Sequence, residues 1–149
     1  MEQEENTGFV LEETLGFAVQ RASIIMKKQL IELFQEQGYH ITPEEFAILG
    51  RLWEEDGLLQ SVINDKTLKD KTTVTRLLNR LIKKGLIKKK TDAADRRNYR
   101  IHLTKKGKTL KDQIIPIVEQ LLAAASRNIT AADLQTTIQT LKAIFANLN

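Results

Sequence analysis

The sequence predicts a mainly α-helical chain carrying one small β-hairpin. Three observations point to this. Apolar residues recur at spacings of three and four along most of the 149 residues, the period of one helical face. Seven Gly and two Pro leave little material for the turns of an all-β fold. Between residues 86 and 104 the period shortens to two and then returns to the helical value. The length and a 42% hydrophobic content fit one domain, 1–149, with a real core.

The elements follow in order. From Phe9 to about Gln35 one long amphipathic helix is expected, with Leu11, Leu15, Ala18, Ala22, Met26, Leu30 and Leu33 on its apolar face. Gly38 ends it. Thr42-Pro43-Glu44-Glu45 reads as a capping box, the threonine oxygen serving unpaired amides while Glu45 reaches back. The helix it opens runs through Phe46, Leu49, Leu52 and Trp53 and stops near Gly57. Gln60 to about Leu68 is short and weakly periodic, a helix of two turns. Asp70 can cap the next segment, Lys71 to Lys84, with Val74, Leu77, Leu78, Leu81 and Ile82 on one face and Gly85 just past its end.

Leu86 to Thr91 and Tyr99 to Thr104 read as paired strands, with Tyr99, Ile101 and Leu103 inward and Arg100 and His102 outward. Thr104 can cap a long helix through Leu110, Ile114, Ile117, Leu121 and Leu122, kinked at Pro116. Thr130-Ala131-Ala132-Asp133 opens a last helix with Leu134, Ile138, Leu141, Phe145 and Leu148 on its stripe. Helices at both termini of so small a chain have little else to cover, so their stripes point to a dimer interface.

A net charge of +4 conceals a partition. Residues 66–111 hold 17 basic and 3 acidic side chains, a local +14, while the remainder carries 6 basic and 16 acidic, or −10. Solvated faces mix their signs; a segregated basic field attracts polyanions. Two consecutive helices and a basic two-stranded ribbon are the parts of a winged helix-turn-helix. Its second helix fits the major groove, and the ribbon lies along the backbone or in the minor groove.

The run Asp70-Lys71-Thr72-Thr73-Val74-Thr75-Arg76-Leu77, followed by Leu81, Lys84-Gly85-Leu86-Ile87, Asp95-Arg96-Arg97 and Leu103-Thr104-Lys105-Lys106-Gly107, resembles the multiple antibiotic resistance regulator (MarR) family over roughly residues 57–110. The resemblance implies a winged helix-turn-helix lobe at 42–104, flanked by dimerisation helices at 8–36 and 105–149. It also implies a homodimer that binds a pseudo-palindromic double-stranded operator and acts as a repressor relieved by a small aromatic or lipophilic ligand. The recognition helix would present Lys71, Thr72, Thr73, Thr75, Arg76 and Asn79. The wing would present Lys89, Asp95, Arg96 and Arg97, with Arg97 entering the minor groove and Asp95 steadying it. Asn64 and Leu68 depart from the family, which usually has alanine and often glycine there. Lys88, Lys89 and Lys90 alternate faces, so at least one points away from DNA.

Other chemistry is not supported. Gly-x-Ser-x-Gly is absent, and Gly107-Lys108 has His102 where a phosphate loop needs glycine. Without cysteine, His40 and His102 are too few for a zinc site, and no thiol switch can exist. Neither enzyme, metal nor cofactor is expected. The acidic start Met1-Glu2-Gln3-Glu4-Glu5 and the lack of a long apolar run suggest a cytoplasmic protein without membrane contact. Met26 and Trp53 are weak candidates for a ligand pocket, since such residues are more often plain core. Two alternatives stay open: a weakly sequence-specific activator or architectural DNA-binding protein, and a basic module that binds an acidic protein.

Overall fold

The computed structural model describes residues 8–149, so the acidic start at Met1–Glu5 lies outside the described residues. Two compact units divide between Pro43 and Glu44. In the first, a 3-10 turn at Leu11–Glu13 precedes helix α1, Leu15–Glu36. The single helix expected from Phe9 is therefore interrupted. Thr14 is extended (φ −81°, ψ 140°) and its hydroxyl donates to the Leu11 carbonyl at 2.7 Å, a side-chain bond that competes with helix continuation. Along α1, Leu15, Val19, Ile24, Ile25, Met26 and Ile31 are all exposed.

The second unit begins within α2 (Pro43–Glu54) and contains β1 (Leu58–Leu59), α3 (Gln60–Thr67), α4 (Lys71–Lys83), β2 (Ile87–Thr91), β3 (Tyr99–Leu103), α5 (Lys105–Ala125) and α6 (Ala131–Leu148). The strands form one antiparallel sheet in the order β1-β3-β2. β1 is an addition to the hairpin read from sequence; two residues are too few to show a period. Leu58 pairs with Ile101, and the β2–β3 register runs from Ile87 opposite Leu103 to Thr91 opposite Tyr99. Ile101 and Leu103 enter the core, but Tyr99, expected inward with them, is exposed. It lies where β3 has left the core, and the Lys89 ammonium sits over its ring, 4.1 Å from the centroid.

Ile48, Leu49 and Leu52 of α2, Ile63 of α3, Val74, Leu77, Leu78 and Leu81 of α4, and Ile114 of α5 are buried with Ile87 and Ile101. The spacing of the α4 residues is that of one helical face. Three caps match their sequence signals: Asp70 accepts from the Thr73 N–H, Thr104 from Gly107 and Thr130 from Asp133. Glu45 is 1% exposed, and both its oxygens accept from Lys84 Nζ at 2.7 and 2.9 Å. A buried carboxylate requires such a partner, and this one ties the first turn of α2 to the end of α4. α5 continues through Pro116.

Two backbone positions are tightly constrained. Gly85 has φ +75° and turns the chain from α4 into β2, a conformation L side chains rarely adopt. Beside it, Gly107 of α5 lies against Leu86 so closely that a Cβ would sit 2.0 Å from the Leu86 oxygen. Leu68, between α3 and α4, is left-handed (φ 57°, ψ 18°) and mostly exposed. It occupies that conformation without the glycine that would suit it.

Opposite outcomes are expected at these two sites in denaturant unfolding. Gly107→Ala should lose about 3 kcal/mol or more, because backbone cannot yield to the added methyl. Leu68→Gly should gain about 0.5–1 kcal/mol, the relief of left-handed strain less the entropy of a new glycine. A stable Gly107→Ala, or a loss at Leu68→Gly, would contradict the respective reading.

Candidate nucleic-acid interface

The outer face of α4 follows from its helical period. Burying Val74, Leu77, Leu78 and Leu81 turns Thr72, Arg76, Asn79, Arg80 and Lys83 to the opposite side, all exposed. With Lys71 and Thr75 these residues line a shallow cleft of about 590 Å³. Arg80 and Lys83 were not among the residues singled out from sequence. Their signal was present, since they fall four and seven residues after Arg76 and must share its face.

Asp70 fixes the start of this helix. Its Oδ1 accepts from the Thr73 N–H and its Oδ2 from the Thr73 hydroxyl, both at 2.8 Å. Those bonds, the backbone one first, hold its carboxyl below the usual range. Thr73 is therefore engaged at the cap and half-buried, whereas Thr72 is open.

A second cleft of about 420 Å³ lies between α3, the start of α4 and the wing. It brings Lys71 and Thr75 together with Lys89, Asp95 and Arg97, so residues from both candidate sets share one concavity. Arg96 is exposed at the wing tip. Asp95 Oδ1 accepts from the backbone N–H of Arg97 at 3.0 Å, so its support acts on the loop backbone. Asn98 Nδ2 donates to Ser61 Oγ at 2.9 Å, attaching the wing to α3. On the floor, Gln60 Nε2 donates to Thr75 Oγ1 at 3.4 Å, while Gln60 Oε1 and Asn64 Oδ1 are buried without a hydrogen-bond partner among the described residues.

The electrostatics are one-sided. Of the 17 basic side chains in 66–111, only Lys84 and Arg100 form ion pairs among the described residues. A merely solvated surface would neutralise more of them locally; this one keeps its field for a polyanion. Of the two ligand candidates, Met26 in the first unit is exposed, and Trp53 in the second donates its indole N–H to the Gly107 carbonyl at 2.9 Å. No described helix is long and apolar enough to cross a membrane.

Comparison with known proteins agrees with this geometry. The sequence profile of the transcriptional regulators SarA/Rot matches residues 29–114. The chain is 30% identical over 118 residues to the organic hydroperoxide resistance transcriptional regulator of Bacillus subtilis, covering 79% of each protein. It is 33% identical over 104 residues to the HTH-type transcriptional regulator TtmR of Methylorubrum extorquens, covering 70% of this chain but only 52% of TtmR. The chain thus spans about half the length of that relative.

Among solved structures, a MarR transcriptional regulator from Methanosarcina mazei superposes with TM-score 0.80 at 26% identity, covering 89% of this chain and 94% of that one. BpsR of Bordetella bronchiseptica, whose DNA binding is regulated by 6-hydroxynicotinic acid, superposes with TM-score 0.82 at 21% identity, covering 92% and 96%, a likeness of fold. These relatives are regulators rather than enzymes. A winged helix-turn-helix with an unneutralised basic face, matched by that profile over more than half its length, belongs to the MarR/SarA-type transcriptional regulators.

Proposed function

We propose that the protein is a homodimeric, sequence-specific DNA-binding repressor of the cytoplasm, released from its operator by a small aromatic or lipophilic molecule. The observation that carries the DNA-binding part is the shared cleft, where Lys71 and Thr75 of α4 line one concavity with Lys89, Asp95 and Arg97 of the wing, and none of its three cations forms an ion pair among the described residues. The lobe 42–104 carries recognition. Lys71, Thr72, Thr75, Arg76 and Asn79 meet the major groove, with Thr73 at its edge. Arg97 enters the minor groove, where negative potential is concentrated, and Lys89 and Arg96 hold phosphates. Asp95 braces the loop.

The helices at 8–36 and 105–149 form the dimer. In support, no residue of α6 is buried in the single chain, although Leu134, Ile138, Leu141 and Phe145 follow one helical stripe. Two-fold symmetry would set the recognition helices about one turn of DNA apart. The ligand part draws on regulation of the kind recorded for BpsR, with Met26 and Trp53 as candidate contacts. Such a ligand must bind the DNA-incompetent arrangement more tightly than the competent one.

Arg97→Ala should weaken binding to a footprinted operator about tenfold and reduce the slope of log K against log salt by about one. An unchanged affinity and slope would remove Arg97 from the interface. A scrambled duplex bound as tightly as the operator would favour the architectural reading. Ile138→Asp should shift sedimentation from dimer to monomer at micromolar protein; a dimer that persists contradicts the role of α6. Titrating aromatic acids should release labelled operator from the dimer, and a panel that releases none contradicts ligand control.

A further inference from the structure

Arg100 holds the base of the wing loop, residues 92–98, alongside the Asn98–Ser61 bond. Arg100 stands on β3, the central strand. Its Nε donates to Asp92 Oδ1 at 2.9 Å and its Nη1 to the Gly57 carbonyl at 2.8 Å. Gly57 is itself fixed, because Asp56 Oδ1 accepts from the Gly57 N–H at 2.9 Å and from the Leu103 N–H at 2.8 Å. Arg100 thus spans the sheet, from the turn ahead of β1 to the far end of β2. A lysine could not do this, since two acceptors lie at the fixed angle of a guanidinium fork.

Asp92 passes the constraint into the loop. It is only 7% exposed, and its second oxygen accepts from the Asp95 N–H at 3.1 Å. Asp95 then accepts from the Arg97 N–H. The Asp92 N–H donates to the Asn98 carbonyl and the Asn98 N–H to the Asp95 carbonyl, both at 3.0 Å, closing the loop on itself. The Arg100 hydrogen bond, chiefly, keeps the Asp92 carboxyl below its ordinary range, so Asp92 stays ionised around neutrality.

The Arg100 side chain is 46% exposed although Asp92 is nearly buried, so water screens the guanidinium end of the pair and limits what the charges add to stability. What the chain of bonds does reach is Arg97, whose guanidinium forms no ion pair among the described residues. A loop ordered before contact does not lose its conformational entropy on contact. We infer that Asp92 and Arg100 are positioning residues for duplex binding, holding the wing so that Arg97 meets the groove already ordered. The inference rests on the wing reading above.

Charge makes the test decisive. Asp92→Asn removes a negative charge from a DNA-facing lobe, so the bulk field alone would tighten binding. If the pair positions the wing, the full dimeric chain should instead bind its operator about tenfold more weakly, with a salt slope shallower by about one. Arg97→Ala should then cost less than about twofold in the Asp92→Asn background, against about tenfold in the wild type, because the two changes remove one interaction. Equal or tighter binding by Asp92→Asn, or losses that simply add, overturns the inference. If Asp92→Asn unfolds at the working temperature, Arg100→Lys serves: it keeps the charge and one of the two bonds. Weaker binding at unchanged melting temperature supports the lock, and wild-type affinity overturns it. If Arg97→Ala alone has no effect, the wing reading itself falls; if Arg97→Ala acts but the losses add, only the lock falls.

Discussion

The backbone of α5 approaches the Leu86 carbonyl at a position where only glycine fits, and the DNA-binding lobe is arranged around that approach. Gly107 lies one turn into α5, Leu86 is the residue that leads into β2, and the Gly85 corner between them joins α4 to the sheet. The Thr104 hydroxyl donates to the Gly85 carbonyl at 2.6 Å, Lys106 Nζ donates to the Lys84 carbonyl at 3.0 Å, and Lys84 closes on buried Glu45. Trp53 adds its indole bond to the Gly107 carbonyl. One corner therefore fixes α2, α4, α5 and the root of the hairpin together. The placement of α4 relative to the β2–β3 hairpin is set there.

From that rigid corner two basic surfaces project with different kinds of support. The α4 face is held by core packing through Val74, Leu77, Leu78 and Leu81, so its cations sit on a regular helix. The wing has almost no core of its own, since Tyr99 and Thr91 at its far end are exposed. Polar bonds hold it instead, through Asp92, Asp95, Asn98 and Arg100. Polar bonds are orientation-dependent in a way that burial is not. The three acidic residues of the basic stretch 66–111 fit that difference: Asp70 accepts from a helix start, and Asp92 and Asp95 accept from the loop they brace.

Much of this was legible in the sequence. The α4 stripe, the three capping residues and the basic hairpin each have a strong local signal, either a period or a side chain chemically suited to a helix end. What was not legible depends on distance along the chain. β1 is two residues that become a strand only because β3 lies beside them. Glu45 read as a helix-start residue, and nothing local announces Lys84, 39 residues away, as its partner. Tyr99 alternates correctly with Ile101 yet is exposed, because alternation reports a face and not how far the core extends beneath it. Arg80 and Lys83 follow from the period that identified Arg76. Arg100 reads as an ordinary outward residue, because its two acceptors lie outside β3, in the turn ahead of β1 and in the loop after β2.

The DNA-binding proposal requires that the segregated positive charge of residues 66–111 engage duplex DNA through phosphates as well as base edges. The most direct measurement is operator affinity of the wild-type dimer across a salt titration. Log K should fall linearly with log salt at a slope steeper than about −5, as expected when six or more phosphates are neutralised, with a scrambled duplex bound more weakly at every salt concentration. A shallow slope, or no duplex binding at low salt, would contradict it.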